Sequence, residues 1–220
     1  MSIRIMKQNL QEAIKGLAKV VCGKTSLPIL SCVRIKSENN TLIISGTDLD
    51  QWLDYRVQLP ESSEPLDCIV RFDALKEFVN GGDGRSMLSF EMAGANFIRL
   101  SMEIVGQTLE RVFESMSLDD WPIDKQGTGD MVPVSGEVFH KIKLALPSAT
   151  KDTSRKILAG VLLEPDGITA TDGKHIVRLK QDIPITQQLI LPATKVLLSG
   201  MLKEAGGLPA SAILQVQCVD

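Results

Sequence analysis

The chain has 220 residues, of which 44% are hydrophobic and 23% are charged, and its formal net charge is −3. This length is sufficient for one large domain or two ordinary ones, each with a sizeable core. The weak negative charge excludes a generally basic nucleic-acid-binding protein, although lysine can still be concentrated on one surface.

Neither a membrane span nor a disulfide framework is expected. No segment approaches the ~20 apolar residues that a transmembrane helix needs. The N-terminal residues have no uninterrupted apolar core and no small-residue cleavage site, so no signal peptide is predicted. The four cysteines are scattered without a C-x-x-C pair, which favours reduced thiols and argues against a metal site. We therefore expect a cytoplasmic protein without a metal or another cofactor.

The first predicted elements are a short strand and a helix. Ile3 and Ile5 alternate with polar neighbours, which predicts the strand. Asn9 is the expected N-cap of the helix, Glu12 its capping-box partner and Gly23 its stop. The apolar stripe of this helix, at helical spacing, comprises Leu10, Ile14, Leu17 and Val21.

Lysines lie nearly opposite that apolar stripe. At ~100° per residue, Lys15 and Lys19 fall on the far side of the helix, and Lys24 follows in the loop. For a single lysine, the ordinary interpretation of such a position is a solvated helix face.

The rest of the first half predicts one more helix among strands. Residues 25–48 contain two apolar runs around a polar turn, which is typical of two adjacent strands. The helix is predicted at residues 72–80, and further strands at residues 51–59, 68–70, 87–91, 96–102 and 107–112. The glycine-rich residues 81–84 lack the Lys-Ser/Thr ending of a phosphate loop and indicate a turn. The order of elements, a strand, a helix and three strands, occurs twice, which predicts an α+β domain.

A polar, turn-rich stretch at residues 118–130 is the best linker in the sequence. It divides the chain into a first domain at residues 1–124, a linker at 125–129 and a second domain at 130–220. Asp119 and Asp120 are adjacent, so in an extended chain their carboxylates point in opposite directions. This argues against a catalytic pair, which needs both groups to face one substrate.

The second half repeats the first. Thr25, Ser26, Ile29, Leu30 and Val33 match the residues 128 positions later, and Thr47-Asp48 matches Thr171-Asp172 at an offset of 124. On the predicted second helix, Lys143 takes the place of Lys15, and its apolar residues are Val138, Ile142 and Ala145. Two further lysines, Lys141 and Lys151, lie nearby. The repeat predicts two similar domains. The recurrence of lysine at corresponding helix positions favours a functional role over an ordinary solvated helix face.

After the repeated strands, a strand is predicted at residues 188–191, a helix at 193–205 and a strand at 213–219. Counterparts of the two strands at residues 96–112 are missing from the second domain. The sheet would then present an open edge, which proteins avoid. We therefore expect either a fragment or a protein whose edge is covered by another chain.

Several of these segments carry a family resemblance. They read LPIL at 27–30, GTDLD at 46–50, LDDWP at 118–122, RKILAGVLLE at 155–164 and ATDGKH at 170–175. In this order and spacing they resemble the bacterial sliding clamp, the beta subunit of DNA polymerase III, over its first domain and most of its second. The resemblance implies α+β clamp domains, with antiparallel sheets outside and helices on the inner face.

The family forms a ring of two chains with three such domains each, closed head to tail around duplex DNA. The resemblance implies a non-catalytic processivity factor that tethers DNA polymerase, and a homo-oligomeric ring that needs a third domain. The DNA-facing residues are then expected to be Lys15, Lys19, Lys24, Lys141, Lys143 and Lys151. Both helical segments are positive, as a DNA-facing surface requires: residues 7–24 carry +3 and residues 137–151 carry +2. Such lysines attract phosphate without reading sequence.

The resemblance also implies a site for peptides of DNA polymerase and the clamp loader. Its expected residues are Leu158, Thr171, Gly173, Lys174, His175 and Ile176. The pair Lys174-His175 departs from the family's usual His-Arg. An equally favoured interpretation from the residues alone places Leu158 and Ile176 in the core.

An enzyme is the alternative from another class. The chain has only two histidines and no G-x-S-x-G, H-E-x-x-H or Walker loop. Asp172, Lys174 and His175 are close enough in sequence to suggest an acid/base cluster. However, Thr47-Asp48 recurs without Lys or His, which indicates a structural turn in which Asp accepts backbone hydrogen bonds. We therefore predict no catalytic residues. A third hypothesis is a clamp-like scaffold that binds proteins without encircling DNA.

Overall fold

The computed structural model of the protein describes residues 2–21, 23, 25–49, 51–59, 65–81, 86–104, 106–123, 135–152 and 154–194. The chain divides into two compact units, unit 1 (Met1–Asp124) and unit 2 (Lys125–Asp220). The predicted linker at 125–129, the strand at 213–219 and all but the first two residues of the helix at 193–205 lie outside the described residues, as does Lys24.

Among its described residues, unit 1 contains two antiparallel four-stranded sheets and two α-helices. The strands are β1 (Ile3–Met6), β2 (Cys32–Glu38), β3 (Thr41–Thr47), β4 (Trp52–Gln58), β5 (Asp67–Arg71), β6 (Met87–Met92), β7 (Phe97–Ile104) and β8 (Gln107–Glu114). One sheet has the order β1-β6-β7-β8 and the other β4-β3-β2-β5. The helices are α1 (Lys7–Leu17) and α2 (Phe72–Asn80). The first-half strands that were predicted with individual bounds agree with the observed strands to within two residues at each end.

A single apolar core joins both helices of unit 1 to both sheets. Leu10 and Leu17 of α1, Leu75 of α2, Ile35 of β2 and Leu88 of β6 are all fully buried within it. The alternating apolar residues of the strands therefore face the helices, as their period-two pattern requires.

The predicted limits of α1 are wrong at both ends. The helix begins at Lys7 without a side-chain cap, so Asn9 lies inside it. The Lys7 N–H donates to the Ser86 carbonyl at 3.0 Å. A tertiary hydrogen bond to the residue before β6 therefore satisfies the first backbone N–H of the helix. Glu12 is not a capping partner, because its carboxylate accepts from the Tyr55 hydroxyl at 3.0 Å.

The same helix ends at Leu17, well before Gly23, and the chain continues as a turn. This turn packs closely on strand β3. A Cβ atom at Gly46 would lie 2.9 Å from both the Leu17 Cδ2 and the Val21 Cγ2 atoms. Glycine at position 46 therefore permits the turn to approach the sheet.

Asp119 and Asp120 lie in a short 3-10 helix, Leu118–Asp120, rather than in an extended chain. Just before β2, residues Pro28–Ser31 form another 3-10 helix, where an apolar strand was predicted. Proline at the start of this segment favours a turn over a continued strand. The side chains of Ile29 and Leu30 pack with Cys32 and Ile69, and Met116 and Trp121 cover this second cluster.

Unit 2 contains, among its described residues, one helix and one antiparallel sheet. The helix is α3 (Gly136–Ala145), and the strands are β9 (Gly160–Glu164), β10 (Gly167–Thr171), β11 (Ile176–Lys180) and β12 (Leu189–Pro192). The sheet has the order β11-β10-β9-β12. The Ser135 hydroxyl caps α3 by accepting from the Val138 N–H at 3.4 Å. The predicted apolar residues Val138, Ile142 and Ala145 are buried against the sheet.

The described sheet of unit 2 repeats the second sheet of unit 1. β9 and β10 correspond to β2 and β3, β11 to β4, and β12 to β5, in the same order across the sheet. The predicted pair of adjacent antiparallel strands is confirmed in both halves. The antiparallel sheets and few helices confirm the predicted α+β fold class.

Candidate functional site

The lysines predicted on α1 lie on its solvent-exposed side. Lys15 is in the last turn of the helix and Lys19 in the turn that follows, and both are exposed. The buried residues Leu10, Ile14 and Leu17 occupy the opposite side. Within the described part of the chain, neither lysine forms an ion pair. Both ammonium groups are therefore available to an anionic partner.

Lys7 does not belong to that surface. Its side chain is 0% exposed, and its ammonium group donates to the carbonyl of Gly81 at the end of α2. The predicted charge of +3 for residues 7–24 counted Lys7 as a surface residue, so the surface charge is lower by one. The predicted N-cap at Asn9 placed Lys7 before the helix, whereas Lys7 is the first helical residue and its side chain is buried.

The lysines of unit 2 differ in how many hydrogen bonds and ion pairs their ammonium groups make within the unit. The Lys141 ammonium donates to the Lys180 carbonyl at 2.9 Å and to Gln181 Oε1 at 2.8 Å, and pairs with Glu137 at 3.0 Å. It therefore ties α3 to the end of β11. Lys143 is half-buried in the last turn of α3 and Lys151 is exposed, and no ion pair joins either to a described residue.

The segment predicted to bind peptides is a turn between β10 and β11, held by Thr171 and Asp172. The Thr171 hydroxyl donates to the His175 carbonyl at 2.6 Å and accepts from the Gly173 N–H at 3.0 Å. The Asp172 carboxylate accepts from the N–H groups of Lys174 at 2.8 Å and His175 at 2.7 Å. Its second oxygen lies 3.1 Å from His175 Nδ1.

The matching turn of unit 1 shares most of these hydrogen bonds. The Thr47 hydroxyl donates to the Gln51 carbonyl at 2.8 Å and accepts from the Leu49 N–H at 2.9 Å. Asp48 accepts from the backbone and side-chain N–H groups of Gln51 at 2.7 and 2.9 Å. The third residue is left-handed in both turns, with φ of 77° at Leu49 and 90° at Gly173.

These hydrogen bonds explain the protonation behaviour of Asp172. The backbone N–H groups of His175 and Lys174, followed by the His175 side chain, hold the pKa of this carboxyl well below its usual range. The group is therefore ionised at neutral pH, and its lone pairs are used by the turn. This geometry agrees with a structural turn and gives no support to an acid/base cluster of Asp172, Lys174 and His175.

Leu158 lies beside this turn. A Cβ atom at Gly173 would be 3.8 Å from Leu158 Cδ1, and the Leu158 side chain is half-buried. Ile176 is 71% exposed, and Lys174 and His175 are also exposed. Ile176 is thus not a core residue, and Leu158 is only partly one. The structure brings Leu158 and the Thr171–His175 turn together, with Ile176 following the turn at the start of β11.

Sequence reasoning did not single out Arg155 or Ile157, which lie in the same part of unit 2. The Arg155 Nη1 atom is 3.6 Å from the Cβ position at Gly173, and Ile157 is 74% exposed. The repeat matches Ile157 to Ile29, which is buried, so it gave no signal that Ile157 is exposed. The signal for Arg155 was its replacement of Leu27 at the same offset.

No grouping of three or more His, Cys, Asp or Glu side chains suited to a metal ion occurs within the residues described. No helix in the described part of the chain is long and apolar enough to cross a membrane.

Comparison with known proteins gives consistent matches. Residues 1–104 match the family described as DNA polymerase III beta subunit, N-terminal domain. The chain is 25% identical over 226 residues to the beta sliding clamp of Pseudomonas aeruginosa, an alignment covering 94% of the chain and 58% of the relative. It is also 25% identical over 223 residues to the beta sliding clamp of Haemophilus influenzae, covering 96% and 58%.

Solved structures agree on the fold. The crystal structure of the DNA polymerase III subunit beta from Pseudomonas aeruginosa superposes with a TM-score of 0.77 at 22% identity, covering 94% of this chain and 58% of that one. The sliding clamp from Bacillus subtilis gives a TM-score of 0.75 at 18% identity, covering 93% and 57%. The chain spans less than two thirds of the length of the relatives it matches.

Proposed function

Because this chain resembles the bacterial sliding clamp over the clamp's first domain and much of its second, we propose that it acts as a sliding-clamp subunit. In this proposal it is a non-catalytic accessory protein of DNA polymerase III in the cytoplasm. It attracts duplex DNA without sequence preference and tethers a polymerase to it. The observation that carries the proposal is the repeated unit, in which a helix with available lysines packs on an antiparallel sheet in each half.

The lysines supply the physical basis of the DNA attraction. Lys15 and Lys19 are exposed, Lys143 is half-buried, and none pairs with a carboxylate of a described residue. Positive groups of this kind release counterions from DNA phosphates without contacting base edges, and their attraction to DNA is weakened by salt. Lys141 contributes less, because three acceptors already hold its ammonium group. The chain's net charge of −3 keeps the attraction local to these helices.

The test reverses one lysine on each helix. We expect Lys15→Glu combined with Lys143→Glu to weaken binding to unrelated duplexes by a similar factor. It should also lower the slope of log affinity against log salt concentration by about 2, at ~0.9 for each phosphate that the protein no longer neutralises. Fluorescence anisotropy with two labelled duplexes over a salt series measures both quantities.

The matched control reverses two strand lysines, Lys36 on β2 and Lys180 on β11. This variant has the same net charge as the helix variant. If both variants lose affinity equally, the attraction comes from overall charge and the proposed helix surface is wrong.

The second part of the proposal concerns the turn between β10 and β11. The groove beside Gly173, with Leu158 as its floor and Ile176 after it, binds a short apolar peptide from a polymerase or clamp loader. The lack of a side chain at Gly173 keeps the space above Leu158 open. Apolar peptide side chains would gain ~25 cal/mol per Å² buried there, less the cost of ordering the peptide. Because few described residues line this groove, we expect an affinity nearer micromolar than nanomolar.

Leu158→Asp tests this groove by placing a carboxylate in its floor. We expect it to abolish binding of a labelled peptide that carries the clamp-binding segment of a bacterial replicative polymerase. The lysine-dependent attraction to DNA should remain. Equal peptide affinity of the variant and the original protein would exclude the groove as the binding site.

A further inference from the structure

An asparagine–glycine pair lies at the end of helix α2. Asn80 is the last residue of the helix and is exposed, and Gly81 follows it as the C-cap. Among the five asparagines of the chain, Asn80 alone is followed by glycine. The others, each followed by a larger residue, are Asn9, Asn39, Asn40 and Asn96. Because glycine has no Cβ atom, it leaves its backbone nitrogen accessible to the side chain of the preceding residue.

The backbone nitrogen of Gly81 lies outside the regular hydrogen bonds of the helix. In a continuing α-helix its N–H would donate to the carbonyl four positions earlier. Instead it donates to the Phe78 carbonyl, three positions earlier, at 3.2 Å, and Gly81 has an extended backbone with φ of −70° and ψ of 147°. In the described part of the chain, no residue forms a hydrogen bond with the Asn80 side chain. Helix ends fray, so the side-chain amide of Asn80 can reach the Gly81 nitrogen when the last turn opens.

The carbonyl of the same glycine holds a buried lysine. Lys7, the first residue of α1, is 0% exposed, and its ammonium group donates to the Gly81 carbonyl. The contact therefore joins the start of α1 to the end of α2 inside unit 1. A buried ammonium group that loses an acceptor lowers stability, because the lost hydrogen bond is not replaced by one to water. The position of the Gly81 carbonyl thus matters for the packing of both helices.

We propose that Asn80-Gly81 is a site of spontaneous deamidation, and that its isoaspartate product releases Lys7. The Gly81 nitrogen attacks the Asn80 Cγ atom, so that an N–Cγ bond forms and the Cγ–Nδ2 bond breaks. Ammonia leaves with the proton of the Gly81 nitrogen. Water then opens the five-membered succinimide ring at one of its two carbonyls, which gives aspartate or isoaspartate at position 80. The reaction consumes only water and needs no oxidant, reductant or cofactor.

Isoaspartate at position 80 displaces the Gly81 carbonyl. The main chain of an isoaspartate runs through its Cβ and Cγ atoms and is one atom longer than that of asparagine. The new carboxylate also lies at the C-terminal end of α2, where the helix dipole disfavours a negative charge. Both effects separate the Gly81 carbonyl from the Lys7 ammonium group. The extent of conversion increases with the age of the molecule, so the site distinguishes old copies of the protein from new ones.

Incubation of the full chain in warm, mildly alkaline buffer tests the modification. Peptide mass spectrometry, with fragmentation that distinguishes isoaspartate, should show conversion of Asn80 while the other four asparagines are retained. Gly81→Ala is the matched control. A Cβ atom at this position would lie 3.4 Å from the Phe78 carbonyl oxygen, and φ of −70° is an ordinary value for alanine. This variant should fold and should convert about tenfold more slowly, because the methyl group crowds the attacking nitrogen.

The release of Lys7 is measured by lysine acetylation with a small reagent. Lys7 should be protected in fresh protein, and its labelling in incubated protein should rise in proportion to isoaspartate at position 80. The unfolding temperature of the incubated protein should fall by about 5 °C or more. Asn80→Asp separates the two effects of the product, because it adds the charge without lengthening the main chain. We expect this variant to keep Lys7 protected and to lose less stability than the incubated protein.

Two results would overturn the proposal. Conversion of Asn80 no faster than that of the other asparagines would exclude the modification site. Isoaspartate at position 80 with Lys7 still protected from acetylation would exclude the release of the buried lysine. Neither measurement involves DNA or a peptide partner, so this proposal and the proposed function can fail independently.

Discussion

At the scale of single residues, the two threonine–aspartate turns show which side chains the structure needs. The Thr47 and Thr171 hydroxyls each donate to the carbonyl four residues later, and Asp48 and Asp172 each accept from the backbone N–H three residues later. The third position is left-handed in both, but it is Leu49 in one turn and Gly173 in the other. Leucine has a steric cost in this conformation that glycine does not.

This difference predicts opposite effects for two substitutions. Gly173→Ala should destabilise the protein by about 1–2 kcal/mol. Space is not the cause, because the new Cβ would meet only ordinary contacts, at 3.6 and 3.8 Å. Leu49→Gly should be neutral or stabilise by up to ~1 kcal/mol, since relief of strain exceeds the entropy cost of glycine. Urea unfolding of both variants measures these changes, and a loss of stability in Leu49→Gly would contradict the account.

The threonine–aspartate turn was also the part of the site that the sequence predicted best. The recurrence of Thr-Asp without Lys or His indicated a structural role, and the hydrogen bonds agree. Lys7 could not be predicted in the same way. Its burial depends on the carbonyl of Gly81, which is 74 residues away, and no local pattern encodes that contact.

At the scale of elements, strands were predicted more accurately than the ends of α1. Alternation of apolar and polar residues predicts a half-buried strand, and the spacing of apolar residues predicted which face of the helix is buried. The helix ends depend instead on tertiary contacts, at Ser86 for the start and at Gly46 for the turn after Leu17. These partners lie far away in sequence, so capping signals at Asn9 and Gly23 gave the wrong limits.

The packing of the turn after α1 on β3 predicts a steric effect at Gly46. Gly46→Ala should destabilise unit 1 by about 1–3 kcal/mol, because the added methyl group overpacks against Leu17 and Val21. Gly23→Ala is the matched control, since a Cβ atom there meets nothing within 4 Å. Thermal unfolding followed by circular dichroism compares the two. Equal stability of both variants would mean that the turn moves away from the sheet without cost.

At the scale of the whole molecule, the repeat was the strongest signal in the sequence. It predicted two units with matching strands, and the corresponding sheets have the same strand order. Exposure could not be predicted from the repeat. Ile29 and Ile157 are equivalent in sequence, yet one is 9% and the other 74% exposed, and Met116 and Trp121 pack on the cluster that contains Ile29.

The state of assembly separates the two functional hypotheses for the whole molecule. A subunit that encircles DNA must form a closed ring, whereas a clamp-like scaffold can bind proteins as a monomer. We expect a closed dimer or trimer if the ring hypothesis is correct. Mass measurement in solution, with and without a circular duplex, provides the test. A monomer that is not retained on circular DNA would favour the scaffold.

The threonine–aspartate turn has a consequence for how such proteins diversify. Only the side chains of Thr171 and Asp172 are needed for its main-chain hydrogen bonds, and the next three positions contribute chiefly their backbone. Unit 1 already carries Leu-Asp-Gln where unit 2 carries Gly-Lys-His. Mutation of the exposed Lys174 and His175 can therefore change the surface of the turn while Gly173 and the scaffold around them persist. The turn is a natural place to graft or randomise sequence in selecting new binding specificities.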